Sequence, residues 1–216
     1  FERAWAERAG VGFIGKNCCL IVPGIGSHVF LVCIVTTAPL VADQPMRRKC
    51  GTCTLCLEAC PTQAFEGPHA LDARKCISYL TIEHRGPIPE EQRAALGPWV
   101  FGCDVCQDVC PYNQTSVTIG APLEAFALGD RWRGIDAARL LEMDEASFQT
   151  WARGSAVKRA RHEGLARNAA LVLGNRGGEI HLRVLDDAKK GHASAVVRDA
   201  AAWASTRLKR RLAASE

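Results

Sequence analysis

Apolar and polar residues alternate at helical spacing through the first nine positions, where Phe1, Ala4, Trp5 and Ala9 are interleaved with Glu2, Arg3, Glu7 and Arg8. This pattern predicts an amphipathic helix over residues 1–9. Because that helix opens at Phe1, as though already under way, the chain is expected to begin inside a larger protein. Two runs follow, Cys18–Val22 and His28–Thr37, rich in β-branched and other apolar residues and separated by Pro23-Gly24-Ile25-Gly26. They predict two strands joined by a turn. Over residues 46–117 the periodicity breaks into short segments between cysteines. Beyond Thr118 it turns helical. Asp144 is placed to cap a helix running to Trp151, and Gly174-Asn175 reads as a helix stop. The expected organisation is α+β, with divisions at 1–45, 46–117 and 118–216.

The last division carries a weak repeat. Arg167-Asn168-Ala169-Ala170-Leu171 aligns with Arg198-Asp199-Ala200-Ala201-Ala202, each within an Ala-rich helical stretch. Paired helices at short regular spacing predict a small HEAT-like solenoid, in which an Arg at the same place in each unit lines one face.

The cysteines bring in chemistry. Cys50, Cys53, Cys56 and Cys60 form a C-x2-C-x2-C-x3-C run closed by Pro61, and Cys103, Cys106 and Cys110 form a partial echo closed by Pro111. This is the spacing by which bacterial ferredoxins hold [4Fe–4S] clusters, the last Cys of each run crossing to the other cluster. Crossing assigns Cys50, Cys53, Cys56 and Cys110 to one cubane. The echo lacks a fourth Cys, since Val100 stands where a full motif would place it, and Cys76 is the one Cys between the runs. Cys60, Cys76, Cys103 and Cys106 then complete the second cubane. Zinc sites favour two C-x2-C pairs and fit the three-at-a-time spacing poorly. Disulfides require an oxidising compartment, which a chain of cytosolic composition without a hydrophobic signal segment does not indicate. Cys18, Cys19 and Cys33 remain and read as small buried hydrophobes. One-electron transfer is the expected chemistry.

Charge changes the picture of the tail. The 216 residues carry a formal net charge of +4, yet residues 1–117 come to −1 and residues 118–216 to +5. Within 153–176 six basic residues stand against the single acid Glu163. A solvated helix face and a phosphate-backbone contact are both compatible with such a run. With 48% hydrophobic and 23% charged residues the composition is that of a globular protein. No apolar run approaches the ~20 residues that cross a bilayer, so no membrane role is expected. Gly10-x-Gly12-x-x-Gly15 matches the dinucleotide-binding pattern in letters, but a predicted helix precedes it and a strand follows, the reverse of what that fingerprint needs. Its glycines are expected to turn tightly or to admit a bulky ligand.

Together these stretches resemble a known family, the epoxyqueuosine reductases. The resemblance rests on Ala6–Asn17 (ending Gly15-Lys16-Asn17), the first Cys run, Asp72–Glu83 (including Cys76-Ile77-Ser78-Tyr79), Gly86-Pro87-Ile88-Pro89, Phe101–Pro111, Gly154–Arg159 and Arg167-Asn168-Ala169-Ala170. It implies that residues 1–45 end a cobalamin-binding α/β domain, residues 46–117 form a ferredoxin-like two-cluster domain, and residues 118–216 form an all-α HEAT-like domain that binds tRNA. The implied reaction reduces epoxyqueuosine to queuosine at the tRNA wobble position, with electrons passing through two [4Fe–4S] clusters to cobalamin. The resemblance further implies that Gly15, Lys16, Asn17, Ser78, Tyr79 and Asp104 neighbour cobalamin, and that Arg85, Lys158, Arg159, Arg161 and Arg167 meet tRNA phosphates. A cytoplasmic monomer fed by a flavodoxin or ferredoxin system is expected. The family's proton-donating Asp lies upstream of the stretch matching Phe1. No catalytic residue is therefore expected here, and the chain alone is expected to be inactive. Cys18 stands where Thr or Ser is usual, and Val32-Cys33 replaces a common Gly-Glu.

Two other readings compete. A cobalamin-dependent reductive dehalogenase would share both clusters but has no evident use for a basic helical tail. A non-catalytic two-cluster electron carrier with a nucleic-acid-binding tail would lack the upstream domain.

Overall fold

A computed structural model of the chain describes residues 1–114 and 129–214. Two compact units emerge, Phe1–Asp72 with Asp104–Ala125, and Ala73–Cys103 with Phe126–Glu216. Residues 73–103, grouped by sequence with the cysteine-rich stretch, thus belong with the helical tail. The expected boundary at 117–118 lies outside the described residues.

The first unit opens with helix α1 (Glu2–Arg8), whose acidic start and basic end suit the helix dipole. Gly10 then takes a left-handed φ of +67° and turns the chain. Strands β1 (Phe13–Ile14) and β2 (Leu20–Ile21) pair antiparallel, Phe13 opposite Ile21 and Ile14 opposite Leu20. Gly12 and Gly15 are needed for this closeness, since a Cβ on either would strike the main chain or side chain of Ile21. Gly12 and Gly15 of the dinucleotide-like pattern therefore permit close packing of the chain against Ile21. The unit's apolar centre is small, with Phe13, Ile21 and Cys110 buried and Met46, Cys50 and Tyr112 against them. Short elements carry the rest: α2 (Leu55–Glu58), the hairpin β3 (Phe65–Gly67) and β4 (Ala70–Leu71), and later α5 (Val105–Asp108) and α6 (Pro111–Gln114).

One expected strand is not formed. Residues 28–37 have no regular structure, and Val32, Ile34 and Val35 are 83%, 85% and 99% exposed. A strand exists only through a partner, and among the described residues none pairs with this run. Cys33 lies exposed within it, so its reading as a buried hydrophobe fails.

The second unit is helical. Elements α3 (Ile77–Ile82) and α4 (Glu90–Arg93) precede α7 (Ala137–Glu142), α8 (Glu145–Trp151), α9 (Arg161–Arg176), α10 (Leu182–Gly191) and α11 (Ala195–Ala213). Asp144 caps α8 as its sequence predicts, accepting from the Ser147 N–H. Helix α9 is the hub, buried from Gly164 to Asn175 and packed against α3, α7, α8 and α11. It does not stop at Gly174-Asn175 but ends at Arg176, with Gly177 as its cap. Gly174 is instead a point of close approach, because a Cβ there would lie 2.7 Å from the Ala204 Cα on α11. The Asn175 amide donates to the Arg93 carbonyl at 2.8 Å.

The two repeat motifs sit on α9 and α11, the most extensively packed pair in the unit. Their arginines do not line a free face. Arg198 donates to the His192 and Ala193 carbonyls just ahead of its own helix. Arg167 is 1% exposed and reaches the other way, into the turn after α3.

Candidate iron–sulfur and nucleic-acid sites

Cys50, Cys53, Cys56 and Cys110 all line one cavity in the first unit, with Lys16, Asn17, Ile21, Leu55, Pro111 and Tyr112. It holds about 380 Å³ of space free of protein atoms, its mouth included. The local chain explains the convergence. Gly51, with φ of +52°, turns the backbone between the first two cysteines, and the Cys53 N–H donates back to the Cys50 carbonyl at 3.1 Å. Helix α2 then presents Cys56. Cys110 arrives from the end of α5, where Pro111 starts α6, and the Tyr112 hydroxyl donates to the Lys49 carbonyl at 3.0 Å, joining the second run to the first.

Burial and neighbouring cysteines disfavour the charged form of two thiols in this set, Cys56 and Cys110. Burial pushes the Cys56 thiol up to about 11, and the nearby Cys106, Cys50, Cys110 and Cys53 push the same way. Burial likewise raises Cys110, with Cys50 and Cys53 adding to it. Bound iron would reverse this balance by supplying positive charge. The donor set is therefore suited to a cluster with one thiolate per iron.

Around the cavity the segment Gly15–Asn17 acts as a brace. The Lys16 ammonium donates to the Gly51 and Cys53 carbonyls, both at 2.8 Å. The Asn17 amide donates to the Cys106 carbonyl at 3.2 Å, and its oxygen accepts from the Cys19 N–H at 3.1 Å. His69, at the tip of the β3–β4 hairpin, donates its N–H to the Lys16 carbonyl at 3.0 Å and sets Nδ1 2.9 Å from the Gly15 carbonyl. Thus two of the residues assigned to cobalamin by resemblance are turned toward the cysteine loops. His69 and the brace itself were missed by sequence reasoning, because no local pattern links positions 16, 51, 69 and 106.

Cys60 and Cys106 belong to the first unit, Cys76 and Cys103 to the second. The Cys106 thiol donates a hydrogen bond to the Cys19 sulfur, and this together with burial pushes Cys106 up. Cys19, half-buried, is thus a sulfur neighbour of a candidate ligand. Asp104 lies at the start of α5 and accepts from the Gln107 amide at 2.9 Å. In the second unit Cys76 immediately precedes α3, whose first turn carries half-buried Ser78 and exposed Tyr79.

Of the five basic residues expected to meet phosphate, the structure corrects one. Arg167 is buried, and its guanidinium donates to the carbonyls of Leu80, His84 and Gly86 at 2.7, 3.1 and 2.7 Å. These are the acceptors left open at the end of α3 and in the turn beyond it. Burial, aided by the nearby Arg85, lowers its pKa to about 10, which keeps it cationic at neutral pH. Asn168 completes the clamp by donating to the Thr81 and Val100 carbonyls, both at 2.8 Å. The Arg-Asn motif therefore fixes the segment that bears Cys76 and Cys103 and is not available to a nucleic acid. The other four gather around residues 158–161. Arg85 donates to the Arg159 carbonyl at 2.8 Å, Arg159 pairs with Glu83 at 2.5 Å, and Lys158 and Arg161 are exposed.

Residues 49–113 match the family model described as a 4Fe-4S double cluster binding domain. The epoxyqueuosine reductase of Gloeobacter violaceus is 47% identical over 182 residues, covering 83% of this chain and 57% of that protein. That of Xanthomonas campestris is 44% identical over 206 residues, covering 94% of this chain and 57% of that one. A crystal structure of epoxyqueuosine reductase with an epoxyqueuosine-modified tRNA-Tyr stem loop superposes with a TM-score of 0.87 at 33% identity, covering 96% of this chain and 55% of that chain. The chain thus spans somewhat more than half the length of the relatives it matches.

Proposed function

We propose that this chain, which belongs to the epoxyqueuosine reductase family, holds two [4Fe–4S] clusters and relays single electrons for the reduction of epoxyqueuosine to queuosine in tRNA. The observation that carries the reading is that Cys110 of the second run lines the same cavity as Cys50, Cys53 and Cys56 of the first. This placement supports the crossed ligation expected of a two-cluster domain. Cys60, Cys76, Cys103 and Cys106 are the ligands proposed for the second cluster, on their spacing. When bound, clusters of this kind take up and release electrons singly, whereas cobalamin supplies a centre at which two are gathered.

The chain's own residues hold and insulate these groups. Phe13, Ile21 and Tyr112 shield the first cavity, with the Phe13 and Tyr112 rings edge to face at 5.4 Å. A drier surrounding and fixed nearby charge are the protein's levers on a cluster potential. Among the residues assigned to cobalamin, Ser78 and Tyr79 on the first turn of α3 remain open to it, whereas Lys16 and Asn17 are engaged elsewhere. Lys158 and Arg161, with Arg85 and Arg159 beside them, form the proposed tRNA phosphate contact, and α9–α11 form the proposed HEAT-like repeat. A flavodoxin or ferredoxin is the class of reductant suited to such clusters. Relatives that bear the reductase name, and a stem loop bound to one of them, favour this reading over a dehalogenase or a bare electron carrier.

The test is anaerobic reconstitution with iron, sulfide and cobalamin, followed by assay on epoxyqueuosine-containing tRNA with the chain alone and with the longer sequence of its relatives restored upstream. Eight irons per chain, with turnover in the longer form, are expected. Four irons, or none, would contradict the two-cluster reading.

A further inference from the structure

We propose that Lys16 sets the reduction potential of the cluster held by Cys50, Cys53, Cys56 and Cys110, acting as a fixed positive charge clamped to the loop that carries two of its ligands. The inference rests on the reading of that cavity as a cluster site. Lys16 is the one residue with a formal charge among the described residues lining the cavity. Its ammonium is held by two neutral carbonyls, Gly51 and Cys53, each at 2.8 Å. Among the described residues no carboxylate pairs with it, so its charge is not cancelled.

The side chain is also held in place from behind. The Lys16 carbonyl accepts from the His69 N–H, Gly15 is fixed against Ile21 and His69, and Asn17 is tied to the Cys106 carbonyl. A lysine free in solvent would be screened and mobile, and one clamped on a partly buried loop is screened less. When the cluster takes up an electron its negative charge rises by one. A cation fixed beside it stabilises the reduced form more than the oxidised one and raises the potential. The same two hydrogen bonds hold the turn between Cys50 and Cys53. Lys16 is thus a positioning and tuning residue that need not touch a substrate.

The test compares wild type with Lys16→Met, Lys16→Gln and Lys16→Arg in the reconstituted chain, by potentiometric titration followed by electron paramagnetic resonance. The signal of this cluster is identified as the one that disappears in Cys110→Ala. At a fixed solution potential, Lys16→Met is expected to lower the reduced-to-oxidised ratio of that signal about tenfold, which is ~59 mV for a one-electron couple. The other cluster should hold its ratio, and Lys16→Arg should restore most of the loss. Lys16→Gln keeps a donor for the loop without the charge, so it should follow Met if charge is the cause, even if the Met variant fails to assemble. A wild-type ratio in the assembled Gln or Met variant, or an equal change in both clusters, would overturn the proposal. Failure of the wild-type chain to assemble a cluster that depends on Cys110 would instead refute the cluster reading itself.

Discussion

The two units are stabilised by different means. Among the described residues, twenty-one in the second, from Ile77 to Leu208, form one buried apolar cluster around α9. In the first, the corresponding cluster has three, and one of those is the candidate ligand Cys110. Burial of apolar surface at ~25 cal/mol per Å² can stabilise the former without help. It is too sparse to do so for the latter, where four cysteines surround a cavity instead of filling it. A metal site of this kind contributes its binding free energy to folding. The cysteine-rich unit should therefore depend on iron for its fold, and the helical unit should depend on packing.

The largest effect follows directly. Chelating iron from the anaerobic holoprotein should abolish hydrogen-exchange protection across residues 10–27 and 50–64, while the amides of α9 and α11 stay protected. Equal loss in both units would show that their stabilities are not separate. Next in size is Arg167→Met. It removes a buried cation and leaves the Leu80, His84 and Gly86 carbonyls without their donor, at a cost of about 3 kcal/mol in denaturant unfolding of the second unit. Its tRNA affinity at temperatures where it is folded should match wild type, because the side chain is not on the surface.

Smaller still is the joint replacement of Lys158, Arg159 and Arg161 by Gln. Stability should barely change, but every phosphate that goes unneutralised should make the slope of log affinity against log salt shallower by about 0.7–0.9. An unaltered slope would mark these residues as a solvated helix face. The smallest effect is expected from Asp144→Ala. The Ser147 N–H bond holds the Asp144 carboxyl below its ordinary value. Its contribution is thus present above about pH 3.9, the unfolded value, and is lost as pH falls through the lower folded value. The variant's small melting-temperature deficit at neutral pH should disappear in acid.

The same contrast explains what could be read from the sequence. Where a feature is local, the residues announce it. Cysteine spacing pointed to the set that lines the cavity, an Asp before a helical run to the α8 cap, and interleaved charges to α1. Where a feature depends on something distant, local pattern misleads. Residues 28–37 have strand composition, but a strand needs a neighbour, and composition cannot supply one. Gly174 has the chemistry of a helix stop, yet the close approach of Ala204 makes it a packing residue within α9. Arg167 belongs to a basic run and looks like a phosphate contact, but its acceptors lie some eighty residues away in sequence. Lys16 is the same case in the first unit, a charge whose partners on the Cys50–Cys53 loop no local motif reveals.

The most direct single measurement is Mössbauer and electron paramagnetic resonance spectroscopy of anaerobically reconstituted Cys110→Ala. Crossed ligation requires that this change remove or degrade the cluster of Cys50, Cys53 and Cys56, because its fourth thiolate is gone, while the cluster that includes Cys103 and Cys106 keeps its spectrum. Loss of the latter with the former intact would show that each run serves its own cluster, and would contradict the assignment of the cavity.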